Sequence, residues 1–292
     1  LRQRDTNGLV RGELVVSIPP NGFYSQDDIH AALGLSNLFG PLEILSLNSV
    51  PLVATSRVYS VNSGTSGFFE GQDVSVASSN GVVPISQDSA AFRTNLGINN
   101  LGSVAADVQA NLYDLSGTLL GTTTVNVPAG GLRQLDNVNR TLTGSAGVSN
   151  TLGFIRLNSS QPLLGYSTLI NNIGDDPGLA TNVVSGATRL LIPSSTNVNQ
   201  FRSTLTVINL GNTPAPIRII VRNTSGGIQV QSDSVIPANG IYNVDDVLTS
   251  LGLVNSYGPI EIQSLNEGPL AAISRVYSTI DNTSGFFAAR PY

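Results

Sequence analysis

The chain has 292 residues, a net charge of −5 and only 11% charged residues. All fourteen cationic side chains are arginines and they form no basic patch, so the composition argues against nucleic acid as a partner. Cysteine is absent, which excludes disulfides and thiolate metal sites, and the absence of lysine excludes a phosphate-binding P-loop. No apolar run approaches the roughly 18 residues of a membrane-spanning helix. We therefore expect no cofactor and no membrane span.

A long internal repeat organises the chain. Residues 19–69 align without a gap with residues 237–287, and 30 of the 51 positions are identical. The offset is 218, twice 109, and a diverged third copy begins at Pro128, 109 residues after Pro19. A period of this size is about one domain long. We therefore predict three tandem domains: an incomplete repeat 1 (1–75), repeat 2 (76–183) and repeat 3 (184–292).

Repeat 1 begins part-way through the module, since Arg4 aligns with Arg222. The strands that precede this point in the other repeats are not in the sequence. An incomplete sandwich exposes apolar faces and unpaired strand edges. The missing strands either lie upstream in a longer chain or come from a neighbouring subunit by donor-strand complementation. The second explanation predicts a polymer interface at Leu1, Leu9, Val10, Leu14, Val16, Phe286, Phe287 and Tyr292.

Repeats 2 and 3 show the strand pattern most clearly. Residues 201–210, 217–222 and 228–236 alternate or are rich in β-branched residues, and turn clusters separate them. Residues 243–252 then predict a short helix, capped by Asn243 or Asp245 and ended by Gly252. Further strands follow in each repeat. The fold class predicted is all-β, with three tandem immunoglobulin-like antiparallel sandwiches of period about 109 residues, the first incomplete at its N-terminus.

Four segments of repeat 3 carry a family resemblance: Ile192-Pro193-Ser194, Phe201-Arg202-Ser203-Thr204-Leu205, Val244-Asp245-Asp246-Val247 and Ser274-Arg275-Val276-Tyr277. In them the chain resembles the Ig-like β-sandwich repeat modules of large secreted or surface proteins of environmental bacteria. Such modules run from an Ile/Leu-Pro start through a Phe-Arg strand to an Asp-Asp-Val helix and a Ser-Arg-x-Tyr strand. The resemblance covers nearly all of residues 82–292 and the later part of the module in residues 1–69. It implies a surface location and a β-sandwich, and no particular chemistry.

Candidate catalytic and metal-binding groups are sparse. His30 is the single histidine, so no repeated triad or histidine zinc site exists, and we expect no enzyme activity. Three aspartate pairs are weak Ca²⁺ candidates, because paired carboxylates suit that ion. Helix capping is the favoured interpretation of the first and last pairs, and a turn that of the middle one. The pairs are Asp27 with Asp28, Asp175 with Asp176, and Asp245 with Asp246.

Two further patterns predict surface contacts. Arg57 and Arg275 each stand two residues before a tyrosine, a combination that suits a glycan, but cross-strand pairing with Glu43 and Glu261 is favoured. Asn-x-Ser/Thr sequons mark four candidate glycosylation sites. They are Asn139, Asn158, Asn223 and Asn282.

Together these features favour a non-catalytic, extracellular structural subunit. We expect it to assemble head to tail into a filament or surface layer, with a neighbouring subunit completing repeat 1. Its main partner is then itself, with glycans or other surface proteins as further partners. The alternative is an adhesin or carbohydrate-binding segment of a larger secreted surface protein.

Overall fold

The computed structural model describes residues 1–62, 64–175, 177–280 and 283–292. The all-β prediction is confirmed: 52% of the chain is strand and 6% is helix, in several antiparallel sheets consistent with a β-sandwich. Within the described ranges, no helix has the length and apolar character required to cross a membrane. Repeat 1, repeat 2 and repeat 3 denote the sequence ranges 1–75, 76–183 and 184–292.

Repeat 1 contains short elements in two small sheets. They are β1 (Arg2–Arg4), β2 (Val10–Glu13), the helix α1 (Ile29–Ala32), β3 (Leu42–Glu43), β4 (Thr55–Tyr59) and β5 (Ser66–Glu70), followed by a 3₁₀ turn (Val74–Val76). One sheet has the order β2-β1-β3 and the other is the hairpin β4-β5.

Repeat 2 has longer strands. They are β6 (Ser78–Asp88), β7 (Phe92–Asn100), β8 (Ala106–Asp114), β9 (Leu119–Val127), β10 (Leu132–Leu135), the helix α2 (Val138–Thr143), β11 (Thr151–Asn171) and β12 (Pro177–Thr181). They form one seven-stranded sheet, in which the long β11 is the central strand. Its residues 151–159 pair with β8 and β6, and its residues 163–171 pair with β7 and β12.

Repeat 3 has the same order of elements. They are β13 (Arg189–Thr196), β14 (Phe201–Asn209), β15 (Ala215–Arg222), β16 (Ile228–Ile236), β17 (Ile241–Val244), the helix α3 (Val247–Ser250), β18 (Tyr257–Ser264), β19 (Leu270–Ser278), β20 (Ser284–Ala288) and β21 (Arg290–Pro291). One sheet has the order β16-β15-β18-β13-β21 and the other β17-β14-β19-β20. Strands β18 and β19 together correspond to the single long β11.

Repeats 2 and 3 differ from repeat 1 in the burial of their apolar side chains. Repeats 2 and 3 each have a buried apolar cluster, around Leu96 and Ile155 in repeat 2 and around Leu205 and Ile262 in repeat 3. Burying such side chains is the main favourable term in folding. Among the residues the structure describes, no buried apolar side chain precedes Val82. Repeat 1 therefore carries strands without a core of its own.

Candidate interaction site

The open face of repeat 1 is the first candidate. Ile44 and Leu52 are 43% and 46% exposed, whereas the identical residues at the matched positions of repeat 3, Ile262 and Leu270, are fully buried. The elements that cover these two positions in repeat 3 are β13 and β14, and the described residues of repeat 1 contain no counterparts of them. Exposure of side chains whose matches are core residues makes this face a candidate interaction surface.

The strand edges of repeat 1 are open on the same side. In repeat 3, β19 pairs with both β14 and β20, and β18 pairs with both β15 and β13. In the described part of repeat 1, β4 pairs with β5 alone, and β3 with β1 alone. An unpaired edge offers a row of backbone donors and acceptors to another strand.

A second candidate comes from a hairpin loop that occurs once in each repeat. We call these loops the tail loops: residues 5–9, 114–118 and 223–227. In each, the first residue accepts a hydrogen bond from the glycine N–H three positions later, and its side-chain oxygen accepts further backbone N–H groups. The three glycines have φ values of +84° at Gly8, +85° at Gly117 and +87° at Gly226. Such values favour glycine because a Cβ would be strained there.

Each repeat also has a turn that begins with proline. We call these turns the head turns: residues 19–22, 128–131 and 237–240. In all three, the N–H of the last glycine donates to the proline carbonyl, at N···O distances of 2.9, 3.0 and 3.0 Å. The third residue is left-handed in each, at Asn21, Gly130 and Asn239. These are type II geometries with a preset proline start.

The tail loop of one repeat docks on the head turn of the next. The Leu132 N–H donates to the Thr6 carbonyl at 3.1 Å, and the Ile241 N–H donates to the Leu115 carbonyl at 2.9 Å. The two donors, like the two acceptors, are 109 residues apart in the sequence. A Cβ on Gly8 would overlap the carbonyl oxygen of Ala129, as one on Gly117 would overlap that of Ala238. The repeated glycines and prolines were a sequence signal for these junctions that pattern reading missed.

The junction between repeats 2 and 3 is also apolar. Phe154 of repeat 2 shares a buried cluster with Ile208 and Ile241 of repeat 3. Arg156 lies over the Phe154 ring and donates to the Leu210 carbonyl at 3.1 Å and to Asn239 Oδ1 at 2.8 Å. Burial lowers the pKa of the Arg156 guanidinium from its ordinary value. These contacts hold the two repeats together as packed neighbours.

Arg275 occupies a second place in that junction. Its guanidinium lies 4.6 Å from the Phe92 ring centroid of repeat 2 and 4.7 Å from that of Tyr277. Burial lowers the pKa of Arg275. A cleft of about 390 Å³ opens beside these three side chains.

The predicted pairing of Arg57 with Glu43, and of Arg275 with Glu261, is wrong. The glutamates lie on β3 and β18, and the arginines lie on the other sheet. Glu261 instead accepts from Arg222, and Glu43 from Arg2 and Arg4. Arg57 lies over the Tyr59 ring at 4.7 Å.

The residues predicted for a polymer interface lie in three places. Leu1, Leu9, Val10, Leu14 and Val16 are in repeat 1; Leu9 and Val10 are exposed, and the backbone nitrogen of Leu1 donates to the Leu14 carbonyl. Phe286 packs against Gly178 in the junction of repeats 2 and 3. Phe287 and Tyr292 are 37% and 49% exposed, and Tyr292 lies under Arg189.

The candidate Ca²⁺ aspartates have other partners. Asp28 Oδ1 accepts the Ala31 N–H at 2.9 Å and caps α1, and Asp246 Oδ1 accepts the Thr249 N–H at 3.2 Å and caps α3. The cap is thus Asp246, and the prediction of Asn243 or Asp245 is wrong. Asp175 accepts from Arg93, and Asp176 lies outside the described residues. Asp27 and Asp245 belong to no group of three metal-ligating side chains in the part of the chain described.

The asparagines of the four sequons differ in their exposure to solvent. Asn139 is fully buried, accepts from Ser86 at 2.6 Å and donates to Thr151 at 2.8 Å, so glycosylation there does not fit the folded chain. Asn158 is exposed. Asn223 is half-buried, and its side-chain oxygen organises a tail loop. Asn282 lies outside the described residues.

Comparisons with known proteins are sparse. No family model matches the chain, and neither does any curated protein. Among solved structures, the chain is similar to Thermotoga maritima 1070, with 16% identity and a TM-score of 0.32 over 37% of this chain and 96% of that one. It is also similar to a β-glucuronidase of Bacteroides uniformis, with 8% identity and a TM-score of 0.17 over 71% of this chain and 25% of that one. A glycosyl hydrolase family 2 member from Bacteroides cellulosilyticus has 7% identity and a TM-score of 0.16 over 81% of this chain and 28% of that one. The chain spans only about a quarter of the length of these two enzymes, and similarities this low carry no argument about function.

Proposed function

We propose that the protein is a non-catalytic, extracellular structural subunit that self-assembles head to tail into a filament or surface layer. Each repeat is an immunoglobulin-like sandwich module, and a neighbouring subunit supplies the strands that complete repeat 1. The observation that carries the proposal is the open face of repeat 1, where residues identical to core residues of repeat 3 face solvent. Complementary surfaces that already join the repeats within one chain support it.

The proposal is tested by the association of the 292-residue chain. We expect sedimentation to show concentration-dependent growth, and negative-stain electron microscopy to show regular polymers. Backbone hydrogen exchange in residues 52–59 should slow on assembly, because β4 gains a partner, while exchange in the matched residues 270–277 stays unchanged.

A matched pair of variants sharpens this test. Leu52→Asp places a charge on the open face and should abolish assembly, because burying an unpaired charge is costly. Val254→Asp is the control, since Val254 of repeat 3 is 85% exposed. A chain that stays monomeric at all concentrations, or a Leu52→Asp variant that assembles normally, contradicts the proposal.

A second candidate function is carbohydrate binding, as an adhesin segment of a larger surface protein. The cleft beside Phe92, Arg275 and Tyr277 favours it, because aromatic and guanidinium planes suit sugar rings. Glycan-array binding that is lost in Tyr277→Ala would support this function. An array without any binding would dismiss it.

A further inference from the structure

We propose that two copies of the chain bind by repeating the internal junction, with the tail loop 223–227 of one copy seated on the head turn 19–22 of the next. This inference rests on the proposed self-assembly and adds to it an end-to-end contact, which is distinct from the strands that complete repeat 1. Of the three tail loops, two are docked within the chain, and no described residue docks on the third. Of the three head turns, two are docked, and no described residue of another repeat docks on the first. The free loop and the free turn lie at opposite ends of the repeat series.

The free tail loop has the shape of a docked one. Arg4 Nη1 donates to the Gly8 carbonyl at 2.9 Å, and Arg222 Nη1 donates to the Gly226 carbonyl at 2.9 Å. Each arginine is in turn held by a glutamate on the neighbouring strand. The loop at 223–227 is therefore braced in the conformation in which the loop at 5–9 meets repeat 2.

Gly226 lacks the close contact with a following repeat that the other two tail-loop glycines make. Its equivalents Gly8 and Gly117 each lie against a carbonyl of the next repeat, whereas a Cβ on Gly226 would meet nothing within 4 Å. The loop at 223–227 thus has the conformation of a docked tail loop, and the space beside its glycine is open. It can therefore bind the same partner, a head turn. By the 109-residue offset, that partner group is the Pro20 carbonyl of a second copy.

The head turn at 19–22 lacks the contact with a preceding repeat that the other two head turns make. Gly131 and Gly240 lie against the Thr6 and Leu115 carbonyls of the preceding repeat, whereas Gly22 meets only its own turn. The next residue, Phe23, is 86% exposed, whereas its equivalent Ile241 is 6% exposed and shares a buried cluster with Val82 and Phe154 of repeat 2. The expected hydrogen bond therefore runs from the Phe23 N–H to the Thr224 carbonyl of the neighbouring copy.

An arginine and an aromatic ring complete the match. In the junction of repeats 2 and 3, Arg275 is held between Phe92 and Tyr277. The same set recurs across the proposed contact. Arg57 already lies over Tyr59 at the same 4.7 Å, and Phe201, the equivalent of Phe92, is 41% exposed at the other end of the chain. Phe201 of one copy is thus placed to cover Arg57 of the next, a cation–π contact.

Mixed cross-linking tests the contact directly, because the chain has no cysteine of its own. In the junction of repeats 1 and 2, the side chains of Asn7 and Arg133 meet. Their equivalents across the proposed contact are Ser225 and Tyr24. A Ser225→Cys preparation mixed with a Tyr24→Cys preparation should give dimers with a short bifunctional thiol reagent, and either preparation alone should not. Ser250→Cys replaces Ser225→Cys in the control mixture, which should stay uncross-linked.

Substitutions measure the strength of the contact by sedimentation. Gly226→Asn tolerates the left-handed backbone but inserts a side chain, so association should weaken about tenfold or more. Gly252→Asn is the control, because Gly252 has φ +80° and open space around it. Arg57→Ala and Phe201→Ala should each weaken association by roughly 2- to 30-fold, and the double variant little further.

The outcomes separate this inference from the proposed function. If the chain assembles but the mixed cross-link is absent and Gly226→Asn associates as strongly as Gly252→Asn, the inference is overturned and self-assembly stands. If the wild-type chain does not associate at all, both are overturned. Cross-linking in the mixture together with selective weakening by Gly226→Asn supports the contact and self-assembly, and slowed exchange in residues 52–59 supports strand donation.

Discussion

Ile44 and Ile262 are the same residue at matched positions of repeat 1 and repeat 3, and so are Leu52 and Leu270. In repeat 3 they are fully buried; in repeat 1 they are nearly half exposed. The helices differ in the same way, because α3 buries Val247 and Leu248 whereas α1 buries no residue. Local sequence thus places strands, turns and caps in both repeats. Only the presence of β13 and β14 turns these apolar positions into a core.

The largest effect is expected from truncating one matched pair. Ile262→Ala should lower the free energy of unfolding of repeat 3 by about 2–5 kcal/mol, because it removes buried methyl groups and leaves a cavity. Ile44→Ala should cost under about 1 kcal/mol in the dilute chain, because the side chain is already in contact with water. Urea denaturation followed by segment-resolved hydrogen exchange measures each repeat separately. Equal losses in the two variants would mean that repeat 1 has a core in solution.

Lowering the pH should weaken one hydrogen bond in repeat 2 and leave the matched hydrogen bond in repeat 3 unchanged. Burial alone would raise the pKa of Asp88, but hydrogen bonds from Arg140 and Ser149 lower it overall. The matched Asn197 does not titrate, and accepts the Ser256 N–H in the same manner. A carboxylate whose pKa is lowered in the folded state stabilises the fold at pH values above the unfolded-state pKa of about 3.9. This stabilisation is lost as the pH falls through the folded-state pKa.

We therefore expect the Ser149 amide to lose exchange protection as the pH falls through the lowered folded-state pKa of Asp88, while the Ser256 amide keeps it. Exchange measured by NMR, corrected for intrinsic rates, checks this difference. Asp88→Asn is the control that should remove the pH dependence at Ser149. Parallel behaviour of the two amides in the wild-type chain would contradict the assignment.

A smaller effect is expected at the junction of repeats 2 and 3. Arg156→Ala removes two hydrogen bonds to repeat 3 and should weaken the junction by about 1–3 kcal/mol. Calorimetry should then show repeats 2 and 3 unfolding in less closely coupled transitions. Arg218→Ala is the control, because its ion pair with Asp233 is exposed to solvent and contributes little to stability. Unchanged coupling in Arg156→Ala would show that the apolar cluster alone joins the repeats.

The smallest effect is expected at the helix caps. Asp246→Ala removes the cap of a packed helix and an ion pair with Arg202, and should lower the stability of repeat 3 by about 1 kcal/mol. Asp28→Ala removes the same cap from an unpacked helix. It should raise hydrogen exchange in residues 29–33 without changing the cooperative transition, because a helix this short has little stability of its own. A shift of that transition in Asp28→Ala would mean that α1 is packed.

Much of the strand pattern could be predicted because it is local. Residues 201–210 and 228–236 alternate with period 2, and they form β14 and β16 within one residue of the predicted bounds. The interaction sites were less accessible to sequence reading. Gly8, Gly117 and Gly226 are 109 residues apart, but the spacing alone does not show that two of them touch a neighbouring repeat.

The sequence by itself determined the repeat, the all-β class, the turn glycines and prolines, and the absence of a repeated histidine site. These depend on residue identity and short-range periodicity. Tertiary structure alone decided that Arg275 meets Phe92 rather than Glu261, that the sequon asparagine Asn139 is buried, and that Ile44 is exposed where Ile262 is not. The physical reason is that such contacts depend on which sheet a strand joins and on which strands are present to cover it, and both are set by pairing between residues far apart in the chain.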